Sequence, residues 1–311
     1  MNLSWCSDVT LNTNKPKKTK MKQLKELAFA YLTEETPVKR FGILLKVETL
    51  LNQYDYKSRS KFLKDFKLSY FASVNSSQKI EKGKKENYDT LILYLSAGKN
   101  AGKDLCSYAS TGCRLACLVE SGHALLEKRA GKAKIAIARM IKSWVTIYRK
   151  DICDALLCHE IKLAKKNASK NGRKFSVRLN GTSDIEFYNV INAFPDIQFY
   201  DYTKDPNRID LPNYHLTFSY SNQAKARFDH YKQAISRGQS IAFPVVASDY
   251  ENALALPDCY DMDKTDLRFL DKVGKYGILK AKLTDNLADG VKQGFILTLS
   301  ELKKVINKIE R

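Results

Sequence analysis

The sequence predicts an α/β chain: a (β/α) barrel or partial barrel with parallel strands, preceded by a small N-terminal helical lobe. Two observations lead to this prediction. From about residue 88 onward, apolar runs of strand length alternate with segments of helical periodicity, which is typical of parallel sheets with helical crossovers. Before residue 75, apolar residues recur at three- and four-residue steps with lysines between them, which indicates amphipathic helices.

Shifts in composition along the chain predict the domain organisation. We expect a basic flexible arm over residues 1–20, a helical lobe over 21–75, a linker over 76–87 and the barrel domain over 88–311. The linker is inferred from the run SSQKIEKGKKEN, which is polar, charged and contains a glycine. The lobe is expected to contain three helices, formed by MKQLKELAFAYL, VKRFGILLKVETLLNQ and SRSKFLKDFKLSYFAS.

Within the barrel domain we expect strands at LILYLS, FSVRLNG, IQFYDYT, YHLTFSYS, SIAFPVVA, KYGILKAKL and QGFILTL. A long helical region, roughly residues 125–167, separates the first two and stops near Gly172, a residue that suits a helix C-terminus. Cys153 and Cys158 fall in this region, and their five-residue spacing favours packing roles. His215 lies inside an apolar strand and is expected to be a core histidine with satisfied hydrogen bonds.

The net charge indicates a polyanionic partner. Lys and Arg number 53 against 34 Asp and Glu, which gives a formal charge of +19. Such a field attracts nucleic acid through phosphate contacts and counterion release, and we favour DNA. A lysine-rich surface without a ligand is the alternative. The sequence contains no apolar run of about 18 residues and no apolar leader, so we expect no membrane span and a cytoplasmic location.

Three cysteines lie in the loop after the first strand, which we call the cysteine loop. Cys106, Cys113 and Cys117 have the spacing C-x(6)-C-x(3)-C and lie among Ser, Thr, Gly, Lys and Arg. An odd number of clustered thiols without a secretion signal favours metal binding over a disulfide framework. Zinc or a 4Fe–4S iron–sulfur cluster suits these ligands, with His123 as a candidate fourth ligand. Three reduced, metal-free cysteines are the alternative.

Polar residues end four successive strands, at the edge where parallel sheets and barrels bind ligands. Asp184, which closes the run NGTSD, is the first candidate for a catalytic carboxylate, and an N-cap of the next helix is the competing interpretation. Ser219 and Lys204 complete the candidate catalytic set. The other polar residues at these ends and in an acidic run near the C-terminus are candidates for substrate binding: Asn180, Thr182, Ser183, Asp201, Thr203, Arg208, Ser221, Asn222, Asp263 and Arg268.

The acidic run, CYDMDKTDLRFLD, interrupts the basic sequence. It places Asp261, Asp263, Asp266 and Asp271 around Arg268. The aspartate spacing suggests a divalent-cation loop, but the glycine and terminal glutamate of an EF-hand are missing. We therefore expect a structured loop on the substrate side of the barrel.

Six motifs, in order, resemble the gene product 88 family of phage- and plasmid-borne proteins: LCSYASTGCRLACL, VRLNGTSDIEF, FYDYTKDPNR, LPNYHLTFSYS, YDMDKTDLRFLD and GILKAKL. The resemblance covers roughly residues 91–299 and implies the cytoplasm of a bacterial host. More loosely, the layout is similar to the radical S-adenosylmethionine barrel, where a three-cysteine loop follows the first strand. That likeness implies an iron–sulfur cluster on the three cysteines and S-adenosylmethionine as a candidate cofactor, near residues 180–184, Ser219 and Ser221. The usual cysteine spacing there, C-x(3)-C-x(2)-C, is shorter than the spacing here.

Three hypotheses for the function follow, from different classes. The first is an enzyme that modifies nucleic acid or nucleotides by radical S-adenosylmethionine-like chemistry. The second is a relative of the tRNA- and DNA-guanine transglycosylases that inserts a 7-deazaguanine into DNA, with Asp184 as nucleophile and a structural zinc on the three cysteines and His123. The third is a non-catalytic nucleic-acid-binding protein whose cysteine loop is stabilised by a metal.

Overall fold

The structure, a computed structural model, describes residues 19–74, 78–118, 121–222, 226–271 and 275–311. The predicted basic arm therefore lies almost wholly outside the described residues. The described chain forms a helical segment followed by a curled half-barrel of seven parallel strands with helices around it. The predicted fold class, a partial parallel barrel preceded by helices, is confirmed.

The N-terminal segment folds into the helices that its periodicity predicts: α1 (Thr19–Thr33), α2 (Pro37–Asn52) and α3 (Arg59–Phe66). Their buried residues belong to the same apolar cluster as the barrel helices. Tyr31 of α1 meets Trp144 edge to face, with 5.8 Å between ring centres. The Arg149 guanidinium donates to the carbonyl oxygens of Leu51 and Tyr54, at 2.9 Å each. The helical segment is thus packed on the barrel.

One sheet of seven strands lies in the described residues: β1 (Tyr88–Ile92), β2 (Lys174–Arg178), β3 (Gln198–Thr203), β4 (Tyr214–Ser219), β5 (Ile241–Val245), β6 (Cys259–Asp261) and β7 (Tyr276–Lys280). Their order is β1-β2-β3-β4-β5-β7-β6, and every pairing is parallel. The last two strands exchange places because β7 pairs with both β5 and β6.

The helices after α3 connect and cover the strands. They are α4 (Gln78–Lys85), α5 (Thr111–Leu115), α6 (Gly122–Arg129), α7 (Lys134–Tyr148), α8 (Lys150–Lys170), α9 (Tyr188–Asn192), α10 (Ala226–Ser236), α11 (Tyr250–Leu254), α12 (Leu287–Lys292) and α13 (Leu299–Glu310). Helix α4 lies in the segment predicted as a linker. Within the described residues, every helix is too short or too polar to cross a membrane.

Besides α4, two strands differ from the sequence prediction: β1 begins three residues before the predicted run LILYLS and ends within it at Ile92, and β6 was not predicted. Two further elements also differ. The long helical region after the cysteine loop is divided at Gly131, whose φ is +67°, and again at Arg149, so that α6, α7 and α8 are separate. The run QGFILTL is not a strand and makes only an isolated bridge to β5. The amides of Phe295 and Ile296 both donate to the carbonyl oxygen of Gly290, and these bonds hold the run against the end of α12.

Side chains alternate between two faces of the sheet, because successive residues of a strand point in opposite directions. The outer face is covered by helices and is apolar, with Leu91, Val177, Phe199, Leu216 and Phe243 all buried. The inner face of the half-barrel is polar, and it carries Arg178, Tyr200, Tyr202, His215 and Thr217 on β2, β3 and β4.

Candidate functional site

The carboxyl ends of β1 to β4 meet at one end of the half-barrel, which we call the mouth. The Leu93 amide donates to the carbonyl oxygen of Arg178, and the Gly181 amide donates to that of Leu93, both at 3.0 Å. A glycine is required at 181, since a Cβ there would lie 2.7 Å from the carbonyl oxygen of Leu93. The turn after β2 is therefore pressed against the end of β1, next to the cysteine loop.

The cysteine loop is shaped by an ion pair and by backbone hydrogen bonds. The Asp104 carboxylate accepts from the Cys106 amide at 3.0 Å and pairs with Arg114 at 2.8 Å. Arg114 also donates to the carbonyl oxygen of Cys106, at 3.0 Å. Helix α5 begins inside the loop, where the Ser110 hydroxyl accepts from the Cys113 amide at 3.2 Å. Together these contacts fix the backbone around the first two cysteines.

The loop brings its three thiols into one neighbourhood. Cys106 is largely enclosed, with its Sγ 3.9 Å from the carbonyl oxygen of Thr182, and it interacts electrostatically with Asp184, Cys117 and Cys113. Burial, and after it these three neighbours, raises the pKa of Cys106 to about 12. A bound metal cation would take the place of the thiol proton, since only the thiolate is a ligand.

The thiols suit a soft metal in chemical type, but they are not arranged as a coordination sphere. Among the described residues, no three His, Cys, Asp or Glu side chains form a group able to hold a metal ion. His123 is exposed at the start of α6 and is not among the groups that act on Cys106. Metal binding by Cys106, Cys113, Cys117 and His123 therefore stays a prediction.

The run NGTSD forms a hydrogen-bonded turn. Asn180 Oδ1 accepts from the Ser183 hydroxyl at 2.9 Å and from the Ile185 amide at 3.0 Å. The Thr182 hydroxyl donates to the carbonyl oxygen of Leu95 at 2.6 Å. These three predicted substrate-binding residues therefore shape the mouth, and their contact with a substrate stays a prediction.

Asp184 lies at the mouth beside the cysteine loop, as expected from its strand end. Its carboxylate accepts three hydrogen bonds, from the Thr203 hydroxyl at 2.9 Å, the Lys204 amide at 2.8 Å and the Arg208 guanidinium at 2.9 Å. Burial raises the pKa of Asp184, and Arg208 opposes that rise. The N-cap interpretation is wrong, because α9 begins after Phe187 and has no side-chain cap. Asp184 instead ties the turn after β2 to the end of β3.

A comparison with protein-family models matches residues 70–296 to Gene product 88. The chain belongs to the gene product 88 family. The family region holds all seven strands, the cysteine loop, the mouth and the acidic run, and it excludes α1 to α3 and α13. It begins about twenty residues earlier than the resemblance in the sequence indicates. Neither the curated proteins nor the solved structures give a match. The likeness to the radical S-adenosylmethionine barrel is therefore unconfirmed.

Two of the candidate catalytic residues of the family region meet across the mouth. The Lys204 ammonium lies 2.6 Å from the Ser219 hydroxyl and 5.5 Å from the centre of the Phe295 ring. Both side chains are half-buried, and both belong to the inner face. Their pairing brings the ends of β3 and β4 together, and their catalytic role stays a prediction.

Other predicted substrate-binding residues of the family region are held by neighbouring segments. The Asp201 carboxylate is buried and accepts from the amide and the side chain of Asn180, at 2.8 and 3.0 Å. Burial raises the pKa of Asp201 to about 6. Ser221 is buried after β4, and the Asn222 side chain donates to the carbonyl oxygen of Gln293.

The acidic run folds over the inner face, and we call residues 262–271 the cover segment. Asp266 pairs with Arg178 of β2 at 2.8 Å, with both side chains buried. The Met262 side chain packs directly on β7, since a Cβ on Gly277 would lie 1.9 Å from its sulfur. The cover segment thus packs on the inner face through Arg178 of β2, Tyr200 of β3 and Gly277 of β7.

Three more charged groups of the acidic run, Asp263, Arg268 and Asp271, also have charged partners. Asp263 accepts from the Lys280 amide and from the Lys282 ammonium, at 2.8 Å each. Arg268 is fully buried, and its guanidinium lies 3.2 Å from Asp271. The expectation of a structured loop is confirmed, with Asp263, Asp266 and Asp271 paired with a lysine or an arginine and Asp261 accepting from the Tyr250 hydroxyl.

Sequence reasoning missed three polar groups. His215 Nε2 and the Thr217 hydroxyl are buried without a hydrogen-bond partner among the described residues, so the expectation of a satisfied His215 is wrong. Burial, with Arg268 nearby, lowers the pKa of His215 to about 4. Lys142 of α7 is 5% exposed, and nothing in its helical periodicity distinguishes it from the solvated lysines. For His215 and Thr217 the available signal was their alternation with the apolar residues of β4.

Proposed function

We propose that this chain is an enzyme whose cysteine loop binds an iron–sulfur cluster and whose substrate is a nucleic acid or a nucleotide. The main support is that Cys106, Cys113 and Cys117 lie in one loop after the carboxyl end of β1, where parallel sheets and barrels place their chemistry. Three thiolates suit iron–sulfur clusters or zinc and leave one position for an outside ligand. A cluster would supply one-electron chemistry there, and S-adenosylmethionine is the candidate ligand.

The residues on the other side of the mouth would bind and orient the substrate. Lys204 brings a positive charge to the inner face, and Ser219 holds its ammonium group at 2.6 Å. Asp184 is a positioning residue in this proposal, because it binds the Lys204 amide and the Thr203 hydroxyl. Asp184→Asn should therefore lower turnover by misplacing Lys204 and should also destabilise the protein, since Arg208 would lose its buried anionic partner.

Metal analysis and colour test the cluster. After anaerobic purification, the wild-type protein should show a broad absorbance band at about 400 nm and should contain iron and sulfide. Each of Cys106→Ser, Cys113→Ser and Cys117→Ser should lose metal, because each removes a ligand. The control is Cys259→Ser, since Cys259 lies on β6, far along the chain from the loop. Full metal content in all three loop variants would refute the proposal, and a colourless protein with stoichiometric zinc would refute the cluster.

The transglycosylase hypothesis gains no support from the geometry. It needs an aspartate free to attack a sugar carbon, whereas the Asp184 carboxylate is buried and accepts three hydrogen bonds. We retain it only as the explanation to test if the metal is zinc.

A lysine-rich face supports nucleic acid as the partner. Lys162, Lys165, Lys166 and Lys170 of α8 line an open depression of about 610 Å³ with Ser169 and Phe194. They recur at helical spacing on one face that spans about 12 Å, the length of a few phosphates along one strand. Because α8 leads directly into β2, this face lies at the end of the half-barrel opposite the mouth. It would hold a duplex backbone at the end of the half-barrel away from the cysteine loop.

Salt dependence tests this face. Lys162→Glu, Lys166→Glu and Lys170→Glu combined should weaken binding of a DNA duplex and lower the slope of log K against log salt by about 3, because three phosphate contacts are lost. The matched control changes Lys303, Lys304 and Lys308 of α13, which are equally exposed, to Glu. Equal loss in both triple variants would mean that net charge alone attracts DNA.

A further inference from the structure

Lys142 and Arg139 lie one turn apart on α7, beside the end of β1. The Lys142 ammonium lies 4.5 Å from the centre of the Tyr70 ring, and the Arg139 guanidinium 5.7 Å from that of Tyr94. Only 5% of Lys142 is exposed. Arg139 interacts electrostatically with Cys117, so this pair of cations borders the cysteine loop.

No carboxylate is paired with Lys142 in the described part of the chain. The nearest acidic side chain that acts on it, Glu160, is already occupied. Glu160 pairs with Arg59 at 2.8 Å and accepts from the backbone amides of Phe71 and Ala72. Lys142 therefore lacks the close anionic partner that buried ammonium groups ordinarily have.

This arrangement costs stability in the absence of a ligand. Burial removes water from the ammonium group, the charge of Glu160 offsets part of that cost, and Arg139 adds a smaller like-charge repulsion from the same helix face. Burial, the larger cause, lowers the pKa of Lys142 to about 8. Lys150 shows the contrast: it lies 4.8 Å from the Phe187 ring centre, but it has Asp154 as an ion-pair partner.

We propose that Lys142 and Arg139 form a phosphate-binding subsite next to the cysteine loop. An ammonium and a guanidinium side by side match the charge of a phosphate dianion and supply donors for its oxygens. The subsite deepens the proposed function, on which it rests for the nature of the ligand: it would hold a phosphate of the nucleotide or nucleic acid at the β1 side of the mouth. Lys204 would then contact the substrate from the β3 side.

Thermal unfolding in inorganic phosphate tests the subsite, with sodium chloride at equal ionic strength as reference. At tenfold excess over Kd, phosphate should raise the Tm of the wild-type protein by about 2 °C. Lys142→Met keeps the apolar stem and removes the charge, so it should raise the Tm in chloride and abolish the phosphate increment. Lys150→Met, the matched control, should lower the Tm in chloride and keep the increment. A phosphate increment retained by Lys142→Met, or absent from the wild type, would overturn the proposal, as would a lower chloride Tm for Lys142→Met.

Two further measurements of thermal unfolding identify the source of the phosphate and test whether its binding depends on the metal. Thymidine 5′-monophosphate carries a terminal phosphate, and a thymidine dinucleotide carries only a diester. If only thymidine 5′-monophosphate raises the Tm, the subsite binds the terminal phosphate of a nucleotide. If the dinucleotide raises the Tm as well, the subsite binds the phosphodiester of a nucleic-acid strand. The increment should persist when Cys106, Cys113 and Cys117 are all Ser, so a failure of metal binding and a failure of the subsite are separable.

Discussion

The outer and inner faces of the sheet are made by alternate residues of the same strands, yet they are stabilised by different interactions. On β2, Val177 is buried among helix side chains, while its neighbour Arg178 pairs with Asp266 of the cover segment. On β3, Phe199 belongs to the apolar core, while Tyr200 reaches Asp266. When both faces of a parallel sheet are covered, the sequences of its strands are ordinarily continuous runs of apolar residues. Strands β2 and β4 of this sheet instead alternate apolar and polar residues.

Polar contacts with the cover segment take the place of apolar packing on the inner face. Buried polar groups stabilise a fold only when they are hydrogen-bonded, and several atoms of this face have no partner among the described residues. The outer face packs against the helices and stabilises the sheet. The inner face carries hydrogen-bonding side chains along the strands as far as Lys204 and Ser219 at the mouth. The two faces are therefore stabilised differently, the outer face by apolar packing and the inner face by hydrogen bonds and ion pairs.

The largest expected effect is on the outer face. Phe199→Ala should lower the free energy of unfolding by about 3–5 kcal/mol, because it removes a fully buried ring from a packed core. On the inner face, Tyr200→Phe removes only a hydroxyl that donates to Asp266 at 3.3 Å, and it should cost about 1.5 kcal/mol or less. Urea unfolding measures both values, and similar costs for the two variants would contradict the division between the faces.

The next largest effect on the free energy of unfolding is expected in the cover segment. Asp266→Ala should cost about 3 kcal/mol, because it leaves Arg178 buried without its partner. Replacing both residues, as Arg178→Met with Asp266→Leu, should recover most of that loss. Asp196→Ala is the control, since Asp196 pairs with Lys165 at the surface and should contribute little. A double variant no better than Asp266→Ala would mean that the pair also holds the cover segment by its geometry.

The division between the faces also marks what the sequence could predict. Strands β1 to β5 and β7 were predicted from apolar runs, because burial against helices leaves a local pattern. Strand β6 was not, since its three residues belong to the acidic run and pair only through β7. Asp184 pairs with Arg208, and the Lys142 ammonium lies on the ring of Tyr70. In both cases the partner comes from a different segment of the chain. Such partners are brought together by the fold and leave no local pattern.

Acid should weaken the inner face through His215. Burial lowers its pKa to about 4, so the folded protein keeps the ring neutral while the unfolded chain binds a proton below pH 6.5. Stability should therefore fall as pH decreases from 6.5 to 4, by at most about 3 kcal/mol. Because burial raises the pKa of Asp271 to about 6, that residue acts in the opposite direction. The difference between wild type and His215→Asn isolates the histidine, and a difference independent of pH would show that folding leaves the pKa of the ring unchanged.

The smallest effect is expected when valine and threonine are exchanged at one position on each face. Val177 and Thr217 are both fully buried and nearly equal in shape, and they lie on the outer and inner faces respectively. Val177→Thr should cost about 1–3 kcal/mol, because it buries a hydroxyl among apolar helix side chains. Thr217→Val should be neutral or stabilising by about 0.5 kcal/mol, since the hydroxyl it removes has no partner among the described residues. Urea unfolding of the two variants at one pH measures both. If Thr217→Val costs as much as Val177→Thr, the Thr217 hydroxyl is satisfied in the folded protein, and the two faces do not differ at this pair of positions.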